Sequence, residues 1–452
     1  MMKNIFEKIR IPSFCKPIIF AFSLIMIGIS VYYIPHKQIE ENIRNSYPII
    51  QDEGDYPWRY DAGVDNFTDI IILQLARYDE NKSKWRLAFE NNWMTVRKSY
   101  PGRAYNNKNI NPAQSFLNDH QKHYKVSYSR YWQGHQLFMR PLLFFTDYGN
   151  IRTINSIAQI ILLTIVLFYM IKNKLLLLTP IYIAVYILLS PRTIWLNITY
   201  SVMYYVYSLA VLFILTKREW IKKNIGYNSF FVMIGILTCY VDFLTYPIVS
   251  LAVPMTFIFY LEPTDSFKDM VKKMIMYPLF WGIGYLGMWI LKWSLSSIVI
   301  ENNLFDDAIT NALLRISDDV YLTGNKRLEV ISLAWEHWFN TNYKKTLFIF
   351  MLGYSLLLNM FNIKEHISFV KNKYYQILPF ILTSCSGLLY WVIFCEHTYD
   401  HKYYSYRTGT AFIFPLIAGF CFWAQNTTLK NFSLDFIKKL NINYGSNKSK
   451  KS

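Results

Sequence analysis

The sequence has few of the groups from which nucleotide and metal sites are commonly built. Only 17 of its 452 residues are glycine, and no glycine-rich loop of the kind that cradles a nucleotide phosphate occurs. No HExxH motif is present. The five cysteines show no paired or metal-like spacing and lie in or beside apolar runs, as small packing residues do: Cys15, Cys239, Cys385, Cys395 and Cys421. We therefore expect no nucleotide-driven chemistry and assign no metal ligands; a divalent metal ion stays an open alternative as cofactor.

The sequence also lacks a cleavable signal peptide. Residues 17–34 are apolar enough to form one, but Tyr32, Tyr33 and Pro35 stand where a small-residue cleavage site is required. We therefore predict that this segment is a signal-anchor helix, which stays in the membrane.

Long apolar runs dominate the rest of the chain. The sequence is 53% hydrophobic, and its apolar residues occur in runs of 16 to 23 bounded by Lys, Arg, Asn or Pro. A bilayer core needs roughly 20 apolar residues in a helix, and these runs lack the alternation of barrel strands. The pattern predicts an all-α, polytopic transmembrane helical bundle with about ten spans: 17–34, 154–171, 175–190, 194–215, 228–243, 246–261, 276–298, 346–361, 376–395 and 409–424.

The distribution of Lys and Arg predicts which side of the membrane each connection occupies. If the N-terminus is cytoplasmic, alternation of the spans places every Lys-rich connection inside, as the positive-inside rule requires. The short connections left outside carry only Arg192, Lys402 and Arg407. We therefore predict a multi-pass plasma-membrane protein with both termini in the cytoplasm. The net charge of +17 follows from this topology, so we expect membrane lipid and no nucleic acid as partner.

Two long segments remain outside in this topology, at 36–153 and 299–345. Within them, helical spacing of apolar residues predicts amphipathic helices that lie along the membrane interface or pack on the tops of the spans: 64–78, 132–145, 303–316 and 326–339. The predicted organisation has six parts: 1–35 (cytoplasmic N-terminus and first span), 36–153 (outer loop), 154–298 (spans two to seven), 299–345 (second outer loop), 346–424 (spans eight to ten) and 425–452 (basic cytoplasmic tail).

Three aspartates follow the first span at intervals of four residues. If the segment is helical, Asp61, Asp65 and Asp69 share one face. Crowded carboxylates raise the pKa of one of their number, which suits a general base. The alternative is a solvated polar face on an interfacial helix, with Asp65 as its N-cap.

Two further polar sets project to the same side. Asp242 lies at the end of a span, where it is either functional or caps a turn ahead of Pro247. The loop EHTYDHKYYSYR places His397, His401, Lys402 and Arg407 among tyrosines. Such a loop suits a phosphate or pyrophosphate group and a sugar ring. The alternatives are a tyrosine-rich interface loop and, because His397 and His401 have the HxxxH spacing, a metal pair.

A last set lies in the segment YSRYWQGHQLFMRP. Arg130 and His135 are interleaved with aromatic residues there, as in a groove for a saccharide or a lipid phosphate. The alternative is an amphipathic helix anchored at the interface by Trp and Arg side chains. In the second outer loop, the possible phosphate contacts are Arg315, Lys326 and Arg327.

All of these sets project to the outer face, where no nucleotide is at hand. A site that works there needs an activated substrate delivered through the membrane, such as a lipid-linked sugar. The layout is similar to the membrane glycosyltransferases of the GT-C superfamily, in which a long extracytoplasmic loop follows the first helix and carries an early acidic base. Here the loop 36–153 with Asp65 and Asp69 in VDNFTDI matches that pattern.

The resemblance implies a polyprenyl-phosphate sugar as donor and a cell-surface glycan or lipid-linked acceptor. It implies Asp65 or Asp69 as the catalytic base, and three residues separate the two here, whereas the family often has adjacent acidic residues. The expected substrate-binding residues are Arg130, His135, Asp242, His397, His401, Lys402 and Arg407. A polysaccharide polymerase, a flippase or other transport protein, and a structural membrane protein are the alternatives. The sequence assigns no oligomeric state.

Overall fold

A computed structural model describes residues 12–77, 81–95, 124–317, 326–360 and 363–427. The first half of the described chain runs α1 (Cys15–Ser30), α2 (His36–Glu53), β1 (Trp58–Arg59), β2 (Ala62–Gly63), α3 (Asn66–Leu75), α4 (Lys84–Phe89), β3 (Asn92–Thr95), β4 (Tyr124–Ser127), α5 (Gln136–Phe145), α6 (Tyr148–Lys172), α7 (Thr179–Leu188), α8 (Pro191–Leu196) and α9 (Ile198–Trp220). The second half continues with α10 (Tyr227–Val241), α11 (Val249–Leu261), α12 (Phe267–Ile300), α13 (Phe305–Ile316), α14 (Lys326–Trp338), α15 (Asn342–Asn359), α16 (Ile363–Ile393), α17 (Cys395–Asp400), α18 (Lys402–Ser405) and α19 (Thr410–Asn426).

The helices confirm an all-α membrane protein. Among the described residues, six helical segments are long and apolar enough to cross a bilayer: Cys15–Tyr33, Tyr148–Lys172, Ile198–Ile225, Phe267–Ile300, Lys364–Ile393 and Lys402–Asn426. The expected count of about ten spans is not confirmed. Helices α7, α10 and α11 have 10, 15 and 13 residues, and a 10-residue helix extends only about 15 Å.

Backbone breaks explain why an apolar run gives a short helix. The predicted span 175–190 begins after Lys174 and ends at Ser190, and both residues have a left-handed backbone, with φ of 61° and 60°. Pro191 then occupies the first turn of α8, where a missing N–H costs nothing. The hydrophobic run therefore continues through two helices instead of one.

Helices α10 and α12 pack closely against each other. Helix α10 crosses α12 at two glycines: a Cβ added to Gly235 would lie 2.1 Å from the carbonyl oxygen of Trp281, and one added to Gly284 would lie 2.1 Å from that of Val232. Small residues allow helices in a membrane to approach in this way. The contact holds α12 against the rest of the bundle.

The predicted amphipathic helix at 64–78 corresponds to α3, which packs on the tops of longer helices. All of its residues except Thr68 are buried. From α5, Arg140 donates hydrogen bonds to the carbonyl oxygens of Val31 (3.0 Å) and Ala76. Because these carbonyls follow α1 and α3, one buried guanidinium joins the ends of two helices to a third.

Two short antiparallel ladders supplement the helices within 36–153. Trp58 pairs with Gly63 and Arg59 with Ala62, so Tyr60 and Asp61 form a two-residue turn. The second ladder joins β3 and β4. The sequence did not predict either ladder, because two to four residues are too few for a recognisable alternation of apolar and polar side chains.

Candidate functional site

The three aspartates do not share a helical face as the spacing predicted. Asp61 lies in the hairpin turn, Asp65 is the N-cap of α3, and only Asp69 lies within that helix. The helix begins only after Asp65, because the residues before it form the hairpin. Asp61 and Asp65 therefore do not lie on a helix. The alternative interpretation of Asp65 as an N-cap is confirmed.

Asp69 caps a different helix from the one that carries it. Its carboxylate accepts hydrogen bonds from the backbone N–H groups of Ile198 (3.1 Å) and Thr199 (3.2 Å) at the start of α9. The Asn197 side chain (2.9 Å), the Thr199 hydroxyl (2.8 Å) and the Tyr148 hydroxyl also donate to it. A negative charge at the N-terminus of a helix is favourable. Asp69 therefore fixes α3 and α6 to α9.

Replacing Asp69 with asparagine should destabilise the protein by about 2–3 kcal/mol, because an amide nitrogen would face donors that now share a charged acceptor. Thermal unfolding of the purified protein in detergent measures this change. Asp306 is exposed, so Asp306→Asn is the matched control and should leave the unfolding temperature unchanged. Equal unfolding temperatures for Asp69→Asn and the wild type would contradict this role.

Asp65 has a different environment from Asp69. It is 1% exposed and accepts hydrogen bonds from the backbone N–H (2.9 Å) and hydroxyl (2.7 Å) of Thr68. Among the described residues, no Lys, Arg or His forms an ion pair with it. Burial raises the pKa of Asp65 to about 7, and the charges of Asp69 and Asp55 add to the effect. This carboxyl group can therefore exchange a proton near neutral pH.

Asp61 is committed to an ion pair. Its carboxylate lies 2.9 Å from the ammonium of Lys344, which is fully buried, and accepts hydrogen bonds from the hydroxyls of Ser190 (2.6 Å) and Tyr343. Burial by itself would raise the pKa of Asp61, but these hydrogen bonds and the Lys344 charge hold it below its ordinary value. Asp61 therefore stays ionised and joins the hairpin to α15.

The hairpin region and the loop 396–407 meet. The rings of Tyr56 and Tyr403 are 5.4 Å apart. The Ser190 hydroxyl, which donates to Asp61, lies 3.0 Å from the hydroxyl of Tyr406. The two segments that the sequence singled out for chemistry, 340 residues apart along the chain, thus occupy one end of the bundle.

An arginine and two histidines lie at the centre of this meeting point. Arg315 of α13 donates to the hydroxyl of Tyr131 (2.5 Å) and contacts Nδ1 of His397, whose Nε2 donates to the carbonyl oxygen of Leu244 (2.6 Å). The rings of His397 and His401 are 4.7 Å apart. Burial lowers the pKa of His401 to about 3, and burial together with Arg315 and His401 lowers that of His397 well below its ordinary value. Both imidazoles are therefore neutral.

Arg315 has no carboxylate in ion-pair contact among the described residues. Asp400 lies within electrostatic range without forming an ion pair, and burial raises its pKa to about 6 against the opposing effect of Arg315. Tyr404 lies within electrostatic range of both Arg315 and Asp65. Tyr404 therefore lies within electrostatic range of a cation, Arg315, and an acid, Asp65. Among the described residues, neither has an ion-pair partner.

Arg130 and His135 are both largely enclosed. Arg130 forms an ion pair with Asp307 (3.2 Å) and its guanidinium lies 5.0 Å from the ring of Tyr131. His135 is 1% exposed, packs 4.7 Å from Phe243 and has an Nε2 atom with no hydrogen-bond partner in the described part of the chain. Burial lowers the pKa of His135 to about 3. Arg130 is thus already neutralised, whereas His135 is a neutral imidazole.

Arg407 and Lys402 face different surroundings. Arg407 is fully buried and donates to the carbonyl oxygens of Leu189 (3.1 Å) and Tyr403 (3.3 Å) and to the hydroxyl of Thr193 (2.8 Å). The N–H groups of its guanidinium are therefore already engaged in hydrogen bonds within the protein. Lys402 is half-buried, with its ammonium 5.4 Å from the ring of Tyr399.

Asp242 caps a turn. Both of its carboxylate oxygens accept from the backbone N–H of Thr245 at 3.1 Å, and the Thr245 hydroxyl also donates to it. Burial raises the pKa of Asp242 to about 7. Of the two alternatives that the sequence left open, the geometry matches the turn cap ahead of Pro247.

Several residues at this end of the bundle were not identified from the sequence, chiefly Tyr148, Ser190, Thr199 and Lys344. The sequence did carry one usable signal: Asn197, two residues before Thr199, precedes the apolar run of α9 and is its N-cap. The contacts of Lys344 with Asp61 join positions 283 residues apart, and no local pattern encodes such a pair. Among the described residues, no group of three or more His, Cys, Asp or Glu could hold a metal ion.

The chain matches no protein-family model, no curated protein and no solved structure.

Proposed function

We propose that this protein is a membrane glycosyltransferase that moves a sugar from a polyprenyl-phosphate donor to a glycan or lipid-linked acceptor at the outer face. The observation that carries the proposal is that Asp65 and Arg315 both lie within electrostatic range of Tyr404, and neither has an oppositely charged side chain in ion-pair contact among the described residues. Transfer of a phosphate-linked sugar requires both a base and a cation. The resemblance in layout to the GT-C superfamily agrees with this assignment.

Asp65 is the better candidate for the base than Asp69. Its pKa of about 7 leaves a sizeable fraction ionised at neutral pH and still favours proton uptake. Asp69 already accepts from five donors, so it has little capacity for another proton donor. In the proposed step, the acceptor hydroxyl gives its proton to Asp65 and its oxygen bonds to C1 of the sugar. The bond between C1 and the phosphate oxygen breaks, and its electron pair leaves with the phosphate.

Arg315 is the candidate for the cation that binds the donor phosphate. A guanidinium can bind a phosphate through two parallel hydrogen bonds, and here its other contacts are a tyrosine hydroxyl and a neutral imidazole. His397 and Tyr131 orient the guanidinium, and the ring of His401 packs against that of His397. Positioned cations of this kind stabilise the charge that develops on the leaving group.

Replacing Arg315 with glutamine should raise the KM for the polyprenyl-phosphate sugar about 10- to 100-fold, as expected for loss of a charge-assisted hydrogen bond. The measurement is transfer of a radiolabelled sugar from the lipid donor at saturating acceptor. Arg327 is exposed and donates to the carbonyl oxygen of Val392, so Arg327→Gln serves as the control and should retain the wild-type KM. An unchanged KM in Arg315→Gln would contradict the phosphate assignment.

We place both termini in the cytoplasm and the segments 36–153 and 299–345 outside the cell. Contacts between connections support this topology. Arg130 of the first outer segment pairs with Asp307 of the second. On the opposite side, Lys16 donates to the carbonyl oxygen of Asn224, and both residues belong to predicted inner connections. Segments assigned to one side therefore touch each other.

Labelling of intact cells should distinguish the two sides. In a chain without native cysteines, Tyr60→Cys should react with a membrane-impermeant maleimide and Trp220→Cys should react only after permeabilisation. Both side chains are exposed, at 64% and 48%, so accessibility to the reagent is not limiting. Labelling of Trp220→Cys but not Tyr60→Cys in intact cells would reverse the proposed orientation.

A further inference from the structure

The hairpin ahead of Asp65 exposes three aromatic rings within five residues. Tyr56, Trp58 and Tyr60 are 49%, 57% and 64% exposed, whereas Asp61 and Ala62 are 6% and 1% exposed. Large aromatic side chains are usually buried. Where several cluster at a surface, they often mark a site that binds a ligand or a partner. We refer to Tyr56, Trp58 and Tyr60 as the aromatic platform.

The backbone beneath the aromatic platform is fixed on several sides. The N–H of Val64 donates to the carbonyl oxygen of Pro57 (3.0 Å), and the Asn340 side chain donates to that of Asp61 (2.7 Å). The ion pair between Asp61 and Lys344 holds the same turn against α15. The rings therefore project from a rigid support, which lowers the entropy lost on binding.

Tyr60 stays exposed in an unfavourable backbone conformation. Its φ is 61°, and the left-handed region is unfavourable for a bulky residue. The guanidinium of Arg192 lies 4.6 Å from the ring centroid and holds the side chain in place. Strain of this kind persists where the surrounding structure over-determines the conformation, as it does here.

We propose that the aromatic platform binds the acceptor saccharide of the reaction and presents it to Asp65; this inference rests on the proposed function. The C–H groups of one pyranose face are apolar and slightly positive, so they stack on the negative face of an aromatic ring. Arg192 lies beside the ring of Tyr60 and can donate to sugar hydroxyls. The ring of Tyr56 contacts Tyr403, which precedes Tyr404 at the candidate site, so the platform is continuous with that site.

Saturation-transfer NMR on the full-length protein in detergent tests the platform with three probes: maltohexaose, chitohexaose and mannohexaose. At least one should receive saturation at its ring C–H protons from the wild type. The double variant Trp58→Ala/Tyr60→Ala should weaken that binding at least tenfold. Trp85 is exposed to a similar degree, at 48%, on α4, so Trp85→Ala is the matched control and should bind as the wild type does. Absence of transfer to all three probes, or equal binding by the double variant, would overturn the proposal.

Quenching by lipids tests whether the aromatic platform contacts the bilayer instead of a saccharide. In nanodiscs with brominated acyl chains, Trp58→Phe and the wild type should lose the same absolute amount of tryptophan fluorescence, because a Trp58 ring that faces water and sugar contributes nothing to the loss. Selective quenching of the Trp58 contribution would place the ring in the membrane and overturn the proposal.

The two proposals fail in different ways. If the platform binds the acceptor, the double variant loses transfer to the glycan but still releases sugar from the donor to water. Asp65→Asn, in contrast, should bind the oligosaccharide normally and lose both reactions. If the wild type binds the oligosaccharide but shows no reaction of the donor, the transferase assignment is contradicted and the saccharide-binding role of the aromatic platform is supported.

Discussion

Asp65→Asn is expected to lower sugar transfer by at least about 100-fold while the protein stays folded. A general base contributes 10² to 10⁴ in rate, and an asparagine cannot take the proton of the acceptor hydroxyl. The fold should tolerate the change because asparagine is as good an N-cap as aspartate. The hydrogen bond from the N–H of Thr68 to the side-chain oxygen can therefore persist.

A matched control separates the loss of the base from the loss of a cap. Asp147 is the N-cap of α6 and accepts from the N–H of Asn150 (3.0 Å) in the same way. Asp147→Asn makes the same chemical change at another helix start and should retain full transfer. Wild-type activity in Asp65→Asn, measured as sugar moved per folded molecule, would remove Asp65 from the mechanism.

The pH dependence of Asp65 has two opposite consequences. Because its pKa is raised to about 7, the basic form increases as the pH rises through neutrality, so kcat/KM should rise over the same range. The stability contribution has the other sign. The folded state binds the proton more tightly than the unfolded chain does, so stability should fall between about pH 4, the ordinary aspartate value, and about pH 7. The rise in kcat/KM should be absent in Asp65→Asn, and the fall in stability should be smaller than in the wild type, since Asp400, whose pKa is also raised, still contributes to it.

Lys344→Met is expected to destabilise the protein by about 3–5 kcal/mol, the usual effect of removing one partner of a buried ion pair. Lys344 is fully buried and Asp61 is 6% exposed, so the substitution would leave a carboxylate without its cation. The double variant Asp61→Asn/Lys344→Met should recover part of the loss, because no unpaired charge remains.

The neighbouring residue offers a close control for this substitution. Lys345 is exposed, and Lys345→Met should change stability by no more than about 0.5 kcal/mol. Thermal and denaturant unfolding in detergent measure all three variants. Because the pKa of Asp61 is lowered, the stabilisation by its charge is present above its unfolded pKa and is lost as the pH falls below it. A Lys344→Met protein as stable as Lys345→Met would contradict a structural role for the pair.

The positions of the helices followed closely from the sequence, but their lengths did not. Each of the ten apolar runs contains a helix, since bilayer-length hydrophobic runs have few other conformations available. The run at 175–190 gave a helix of only 10 residues because residues 176–178 form a turn after the left-handed Lys174, and the left-handed Ser190 ends the run. A serine in a sequence does not predict a left-handed backbone. Counting apolar residues therefore overestimated the length of the helix.

For the candidate site, too, the sequence predicted the region but not the contacts of the individual residues. The loop composition singled out the region of His397 and His401, whose rings lie 4.7 Å apart, and their role in substrate binding stays a prediction. It did not distinguish Asp65 from Asp69, although the carboxylate of Asp65 accepts only from Thr68 among the described residues and that of Asp69 accepts from five donors. That difference comes from residues of α6 and α9, far away in the chain, and only their packing against α3 creates it.

The sequence by itself determined that this protein is a helical membrane protein, because apolar length and the need to satisfy the backbone in lipid are local properties. Which charges remain unpaired was decided by the tertiary structure alone. Asp61 meets Lys344 and Asp69 meets the start of α9, while Asp65 and Arg315 have no opposite charge in ion-pair contact within the part of the chain that the structure describes. Such pairings depend on contacts between distant segments, and a hydrogen bond or ion pair acts only over the few ångströms that folding establishes.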